Sequence, residues 1–327
     1  SIENAATNAI IVNNTIYMQQ ATGITQGIKN YAGYTLIRAN NVTVYGPCVG
    51  IDWNGEAIAN TIGIVTLYGD NVRILNNNIK VFQTNGTTAE AYGTTDGIDV
   101  RGNRVSVLNN NIEVNAQVYT YGINVMGEKL KIQNNTINLK SERYVAGIQA
   151  GSDYSGIYNC KNVNITNNKI TGIANKTSKN ASDAVAYGII SSSMGGSMCE
   201  KIKIDNNTVD LKSNVGYGME IYTCINTNIT KNNIKVDAIY ATGIGVSKSI
   251  NNNIKLNNIT THGNSLKTIG AVSEDIEPAN AGINLDSGSH YTNITNNKIY
   301  SDDTNNTAKT VNVKANNNDI LIANNIV

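Results

Sequence analysis

The segment Thr95-Asp96-Gly97-Ile98-Asp99-Val100-Arg101 brings two carboxyl groups and a guanidinium close together in the chain. Glycoside hydrolysis uses two carboxyl groups at a defined separation, one as general acid and one as base or nucleophile. An Arg or Lys base beside carboxylates that hold Ca²⁺ suits cleavage of a uronate instead. A plainer interpretation is a solvated ion pair, worth about 0–1 kcal/mol. Asp96, Asp99 and Arg101 are the candidate catalytic residues if this chain is an enzyme.

A second set of side chains suits binding rather than catalysis. A block Gly-Ile-x-Val recurs along the chain. Tyrosines directly precede its glycine at Tyr121, Tyr187 and Tyr217, and polar residues follow the glycine by two positions at Asn124 and Glu220. Aromatic rings next to amide and carboxyl groups can bind sugars, because rings cover the apolar sugar faces and polar groups bind the hydroxyls. A structural tyrosine stack is the alternative, since Tyr187 lies two residues before Ile189, which should face inward.

Composition excludes several functional classes. The 327 residues carry 25 Lys+Arg and 24 Asp+Glu, a net charge of +1, whereas nucleic-acid binders normally carry a basic surface. No window approaches 18 consecutive apolar residues, so no membrane insertion is expected. With 40% hydrophobic residues the chain can build a core. No phosphate-binding loop, zinc motif or nucleophile elbow occurs.

A repeat runs through the whole chain. The unit is apolar-x-x-Asn-x-apolar, as in Ile74 to Ile79, and it occurs eleven times at intervals of 25 to 40 residues. Its asparagines are Asn14, Asn40, Asn77, Asn110, Asn135, Asn168, Asn207, Asn232, Asn257, Asn297 and Asn325.

Alternation of apolar residues on both sides of the Asn predicts strands with one buried face. Three short strands and three bends fit into the shortest interval, which is one turn of a parallel β-helix. Stacked amides at one bend satisfy each other's hydrogen bonds, so we expect the eleven asparagines to form a structural ladder. The predicted fold is an all-β, right-handed parallel β-helix of about eleven coils.

A column of small residues accompanies the repeat. In three consecutive coils this position is occupied by Cys160, Cys199 and Cys224. No His or carboxylate shares the column, and a parallel stack is not tetrahedral, so a metal site is not predicted. We expect buried free thiols that fill space.

These repeats resemble the right-handed parallel β-helix superfamily with the pectate-lyase-like fold. Within it, the Asn- and Thr-rich, almost Pro-free composition and textures such as Leu108-Asn109-Asn110-Asn111-Ile112 are most similar to adhesin-like surface proteins of methanogenic archaea. The resemblance implies a secreted or cell-wall-anchored protein whose β-helix is displayed at the cell surface.

The segment around Asp96 also resembles the Asn-Thr-Asp-Gly-x-Asp segment of polygalacturonases, in which the aspartate matched by Asp96 belongs to the catalytic set. Those enzymes carry an Asp-Asp pair about one coil later, then Gly-His-Gly and Arg-x-Lys. Here the matching place reads Tyr121-Gly122-Ile123-Asn124, and neither histidine is flanked by glycines. Aligning the outward position of Asp99 in successive coils gives Asn124, Gln149, Ile190, Glu220, Gly245 and Asn284. No two adjacent coils both supply a carboxylate there, which also argues against a Ca²⁺ site.

Insertions follow the ladder corner at 82–95, 173–186 and 260–280. They either frame a groove along one edge or mark a bend that tolerates insertions because it faces solvent.

We therefore expect residues 1–327 to form a single β-helix domain, excised from a longer surface protein that continues beyond Val327 into further domains. The predicted function is a cell-surface, extracellular adhesin-like β-helix that binds glycans or other cells, without cofactor or metal. The first alternative is a polysaccharide lyase or glycoside hydrolase, with Ca²⁺ only in the lyase case. The second alternative is a spacer that binds nothing.

Overall fold

The computed structural model describes residues 1–21, 23–47, 60–84, 94–152, 160–175, 184–193, 198–264, 280–304 and 308–327. These ranges form parallel strands joined by bends, and the predicted all-β, right-handed parallel β-helix is confirmed. The described ranges contain no helix, and so none long and apolar enough to cross a membrane. The three insertions, expected either to frame a groove or to mark a tolerant bend, lie mostly outside the described residues.

Each coil contributes to three faces of the solenoid, in the chain order face one, face two, face three. Face one comprises β1 (Ile2–Asn4), β4 (Thr25–Asn30), β7 (Thr61–Leu67), β10 (Thr94–Arg101), β13 (Tyr119–Met126), β16 (Tyr144–Ser152), β19 (Val185–Ser193), the later parts of β21 (Thr208–Tyr222) and β23 (Asn233–Ser247), β26 (Ala281–Leu285) and β29 (Lys309–Val313). This face carries the Gly-Ile-x-Val blocks.

Face two comprises β2 (Ile10–Val12), β5 (Leu36–Arg38), β8 (Arg73–Leu75), β11 (Ser106–Leu108), β14 (Lys131–Gln133), β17 (Lys161–Thr166), β20 (Cys199–Asp205), β22 (Cys224–Thr230), β24 (Ile250–Lys255), β27 (His290–Thr295) and β30 (Leu321–Ala323). Face three follows the ladder corner and comprises β3 (Thr15–Gln19), β6 (Asn41–Gly46), β9 (Asn78–Gln83), β12 (Asn111–Asn115), β15 (Thr136–Ser141), β18 (Lys169–Ala174), the first parts of β21 and β23, β25 (Asn258–Gly263) and β28 (Lys298–Asp303).

Inward side chains of successive coils stack in register and form one continuous core. On face one the column Ile64, Ile98, Ile123, Ile148 and Ile189 is fully buried. Because each coil repeats the same residue type at the same place, burial of one isoleucine fixes the register of its neighbours.

The ladder corner between face two and face three requires an unusual backbone. At all eleven repeats the residue before the ladder asparagine is left-handed, with φ between 54° and 60°. Eight of these residues are themselves Asn, which tolerates this conformation better than other residues with a side chain. This explains why the ladder asparagines so often stand in Asn-Asn doublets.

The ladder itself is continuous from Asn14 to Asn325. Each side-chain amide donates to the Oδ1 of the next asparagine at 2.9–3.0 Å, and each backbone N–H donates to the same Oδ1 at 2.8–3.0 Å. From Asn40 onward each amide also donates to a carbonyl of an adjacent coil, such as Asn77 to Ile37 at 3.1 Å. The buried bend therefore leaves its polar groups paired.

The thiols of Cys160, Cys199 and Cys224 are free and buried on face two, with Cys199 and Cys224 directly paired in register. Burial raises the pKa of the Cys224 thiol, which lies 3.4 Å from the Ser191 carbonyl oxygen. The expected role as space-filling thiols matches this placement.

Candidate functional site

The glycine of each Gly-Ile-x-Val block decides which side chains face outward. At Gly97 a Cβ would lie 2.4 Å from Cγ2 of Ile112, so only glycine fits against the face-three strand. Thr95, Gly97 and Ile98 all face the interior. Because Gly97 and Ile98 are consecutive inward residues, the inward–outward alternation of the strand shifts by one position here. Asp96 and Asp99 consequently lie three residues apart on the same outward side of face one.

Two outward columns result, and we call them together the face-one site. The first column is Asp96, Tyr121, Ala146, Tyr187 and Tyr217. The second is Asp99, Asn124, Gln149, Ile190 and Glu220. The sequence alignment of the second column is confirmed by this register. The four coil steps between Asp99 and Glu220 correspond to ~19 Å along the axis at the usual strand spacing.

An acidic pair lies at one end of the face-one site. Both aspartates are almost completely buried, at 2% exposure for Asp96 and 5% for Asp99. The Thr94 hydroxyl donates to Oδ2 of Asp96 at 3.1 Å, and Nη2 of Arg101 lies 3.8 Å from Oδ2 of Asp99. The Oδ1 atom of each aspartate is buried without a hydrogen-bond partner.

Burial gives the two carboxyl groups different proton affinities. Burial, reinforced by the neighbouring Asp99 carboxylate, raises the pKa of Asp96 well above its ordinary value. Burial also raises the pKa of Asp99, to about 6, against the opposing charge of Arg101. Raised pKa values bring carboxyl groups closer to the pH range in which they can serve as general acids.

A row of aromatic rings runs from the acidic pair toward Glu220. Tyr144 lies 5.5 Å from both Tyr119 and Tyr121 and 5.6 Å from Tyr187, measured between ring centroids. The rings of Tyr187 and Tyr217 are stacked at 5.1 Å with a 9° interplanar angle, which matches the alternative of a structural tyrosine stack for these two residues. Tyr119, Tyr121 and Tyr144 are half-buried, whereas Tyr187 and Tyr217 are buried in an apolar cluster separate from the solenoid core.

Glu220 lies at the other end of the row and is the third buried carboxyl group of the site. Its side chain, 1% exposed, lies over Gly245 of the next coil, where a Cβ would be only 1.9 Å from Oε2. Burial, and then the charge of Asp286, raises the pKa of Glu220 to about 8. Lys314 compensates Asp286 at 3.2 Å, but Oε2 of Glu220 has no partner.

The face-one site therefore contains an unusual number of buried polar atoms without partners. They are Oδ1 of Asp96, Oδ1 of Asp99, Oδ1 of Asn124, the Tyr217 hydroxyl and Oε2 of Glu220. An unpaired buried polar group costs about 1–3 kcal/mol, so this set departs from the usual pairing of buried polar groups.

Sequence reasoning named seven of the side chains in this site and missed Tyr144 and Tyr119. It considered only tyrosines directly before the glycine, whereas Tyr144 precedes Gly147 by three residues. The sequence feature that could have revealed both tyrosines is their equivalent position in adjacent coils, where Tyr119 and Tyr144 are paired in register.

Within the described residues, no group of three or more His, Cys, Asp or Glu side chains is arranged to hold a metal ion. Arg101 is the cation that approaches the acidic pair.

Comparisons with known proteins agree with the fold and go no further. No protein-family model matches the sequence, and no curated protein matches it. Among solved structures, the chain is similar to the A-module of the mannuronan C-5 epimerase AlgE6 of Azotobacter vinelandii, at 10% identity and a TM-score of 0.47, covering 96% of this chain and 81% of that one.

Two phage proteins are similar to a comparable degree. The receptor-binding domain of the siphovirus 9NA tailspike has 10% identity and a TM-score of 0.43, over 100% of this chain and 73% of that chain. A tailspike protein of E. coli bacteriophage HK620, solved in complex with a pentasaccharide, has 13% identity and a TM-score of 0.43, over 95% and 61%. The strands and their parallel register define the chain as a right-handed parallel β-helix.

Proposed function

We propose that this protein is an extracellular, adhesin-like β-helix that binds a glycan on the face-one site. The observation that carries the proposal is the row of half-buried tyrosine rings beside the partly exposed amides of Asn124 and Gln149. In this proposal the solenoid is a rigid support at the cell surface, and further domains of the same polypeptide attach it there.

The chemistry of the site favours a saccharide over an apolar ligand. Half-buried rings at Tyr119, Tyr121 and Tyr144 offer apolar surface for a sugar face, while Asn124 and Gln149 supply amides in the next column. Sugars present hydroxyls that both donate and accept, so they can pair with the side-chain amides of the partly exposed Asn124 and Gln149. Coils spaced ~4.8 Å apart suit a polymer that lies along the axis.

The test is retention on a panel of insoluble and gel-immobilised polysaccharides, with Tyr121→Ala and Asn124→Ala as variants. We expect the wild type to be retained by at least one polysaccharide and Tyr121→Ala to bind it about tenfold more weakly, the equivalent of ~1.4 kcal/mol for one ring contact.

Tyr291→Ala is the control, because Tyr291 is a solvent-exposed tyrosine on face two, 56% exposed and outside the face-one site. An equal loss in the control, or no retention by any polysaccharide, would contradict glycan binding at the face-one site. The second result would leave the spacer as the surviving alternative.

A second candidate function is cleavage of a polysaccharide at the acidic pair. It is favoured by one observation, the two buried carboxyl groups of Asp96 and Asp99 next to Arg101. Asp96 would donate a proton to the leaving-group oxygen, and Asp99 would act as base or nucleophile.

Product release from the same panel, with and without Ca²⁺, tests this candidate. New reducing ends or unsaturated uronates that disappear in Asp96→Asn, but persist in Asp210→Asn on the exposed side of face three, would support catalysis. The absence of products from the wild type would exclude it for the polysaccharides used.

A further inference from the structure

A groove of about 470 Å³ lies outside the face-one site, at the corner where face three turns toward face one. Its walls come from β9, β12, β15 and β18 in four consecutive coils and include Phe82, Gln83, Asn115, Gln117, Lys140 and Ile173. Phe82, Asn115, Lys140 and Ile173 are in register, so the groove runs parallel to the solenoid axis.

An aromatic platform leads into this groove along the same face. The rings of Tyr45 and Phe82 are stacked at 5.0 Å, and Tyr17 lies 5.6 Å from Tyr45. Tyr17 is 62% exposed, and the other two rings are half-buried. Apolar rings held at the surface in a line are costly to hydrate, and they suit a ligand with flat apolar faces.

Beyond Phe82 the groove becomes polar. Oε1 of Gln83 accepts a hydrogen bond from the Gln117 backbone N–H at 2.6 Å, whereas Nε2 of Gln83 is buried without a partner. The exposed Asn115 amide and the Lys140 ammonium lie beside it in successive coils. Donors and acceptors beside an aromatic wall match the alternating hydroxyl and C–H surfaces of a pyranose.

We propose that this groove and the platform of Tyr17, Tyr45 and Phe82 form a second saccharide-binding site, separate from the face-one site. The ligand is a neutral oligosaccharide lying along the axis, with one sugar ring on Phe82 and its hydroxyls on Gln83 and Asn115. A neutral chain fits because the groove wall includes both Lys140 and Glu142, which balance each other in charge.

Isothermal titration calorimetry of the whole chain tests the site, with cellotetraose, laminaritetraose and maltotetraose as probes. We expect at least one probe to bind and Phe82→Ala to weaken that binding about tenfold. Asn115→Ala should weaken it as well, and since Asn115 is exposed this variant carries little risk to folding. Tyr121→Ala, in the face-one site, should leave the affinity for this probe unchanged.

Three results would overturn the proposal. They are the absence of binding for all three probes, full affinity in both Phe82→Ala and Asn115→Ala, and an equal loss in Tyr121→Ala. The last result would mean that the probe occupies the face-one site. Thermal melting of each variant identifies any loss that comes from unfolding.

Discussion

Replacement of one ladder asparagine in the middle of the solenoid should be far more damaging than its surface area suggests. Asn168 is 1% exposed and stands between Asn135 and Asn207. Its amide donates to the carbonyl oxygens of Ile132 at 3.0 Å and Thr166 at 3.1 Å, and to Oδ1 of Asn207 at 3.0 Å. Its own Oδ1 accepts from the backbone N–H of Asn135 at 3.0 Å and from the Asn135 amide at 2.9 Å.

The size of the effect follows from what Asn168→Ala leaves behind. The Asn135 backbone N–H loses its acceptor in a buried bend, which costs about 1–3 kcal/mol. The Ile132 and Thr166 carbonyl oxygens and one Asn207 contact lose their donor, at about 0.5–1.5 kcal/mol for each hydrogen bond. Because two amide hydrogens serve three acceptors, the contributions do not simply add. We expect the free energy of unfolding to fall by about 3–5 kcal/mol.

Urea unfolding followed by circular dichroism measures this change, and Asn14→Ala is the matched control. Asn14 begins the ladder, is partly exposed, and donates only to Val12 at 3.2 Å and to Asn40 at 2.9 Å. Its replacement should cost about 1 kcal/mol. Equal losses for the two variants, or a loss below 1 kcal/mol for Asn168→Ala, would refute the view that amide stacking stabilises the ladder corner.

Three further predictions concern other parts of the solenoid. Since burial raises the pKa of Glu220 to about 8, the folded state keeps a proton that the unfolded state releases near its ordinary value, so the free energy of unfolding should fall by a few kcal/mol from pH 5 to pH 8. Glu220→Gln should make this decline shallower in urea titrations at several pH values, and an unchanged slope would contradict the raised pKa. Gly97→Ala should cost about 1–3 kcal/mol in thermal melts, because its Cβ would lie 2.4 Å from Ile112, and a neutral outcome would mean that the strands can separate at no cost. Leu256→Asn should stabilise by about 0.5–1 kcal/mol, since Leu256 is 46% exposed with φ of 60°, and a lower melting temperature would count against backbone strain there.

The fold was predictable because the chain repeats one simple pattern. Each Asn of the ladder, each inward isoleucine and each Gly-Ile-x-Val block carries the same information as its counterparts, so eleven weak local signals reinforce one another. The alignment of Asp99 with Asn124 and Glu220 followed from that periodicity and is confirmed by the strand register.

The candidate site was less predictable, because its decisive properties depend on burial and on contacts between coils. The sequence could not say whether Tyr187 faces outward, since Gly188 adds an inward residue and breaks the alternation. It also could not show that the Tyr144 ring joins separate tyrosines into one row. The raised pKa of Glu220 depends on how it packs over Gly245, which only the three-dimensional arrangement reveals.

The proposal of a glycan on the face-one site is tested most directly by a crystal structure of the chain with an oligosaccharide from a retained polysaccharide. The account predicts a sugar ring in van der Waals contact with Tyr121, and a sugar hydroxyl within ~3.2 Å of the side-chain amide of Asn124 or Gln149. A sugar bound elsewhere, with no contact to Tyr121 or to either amide, would contradict it.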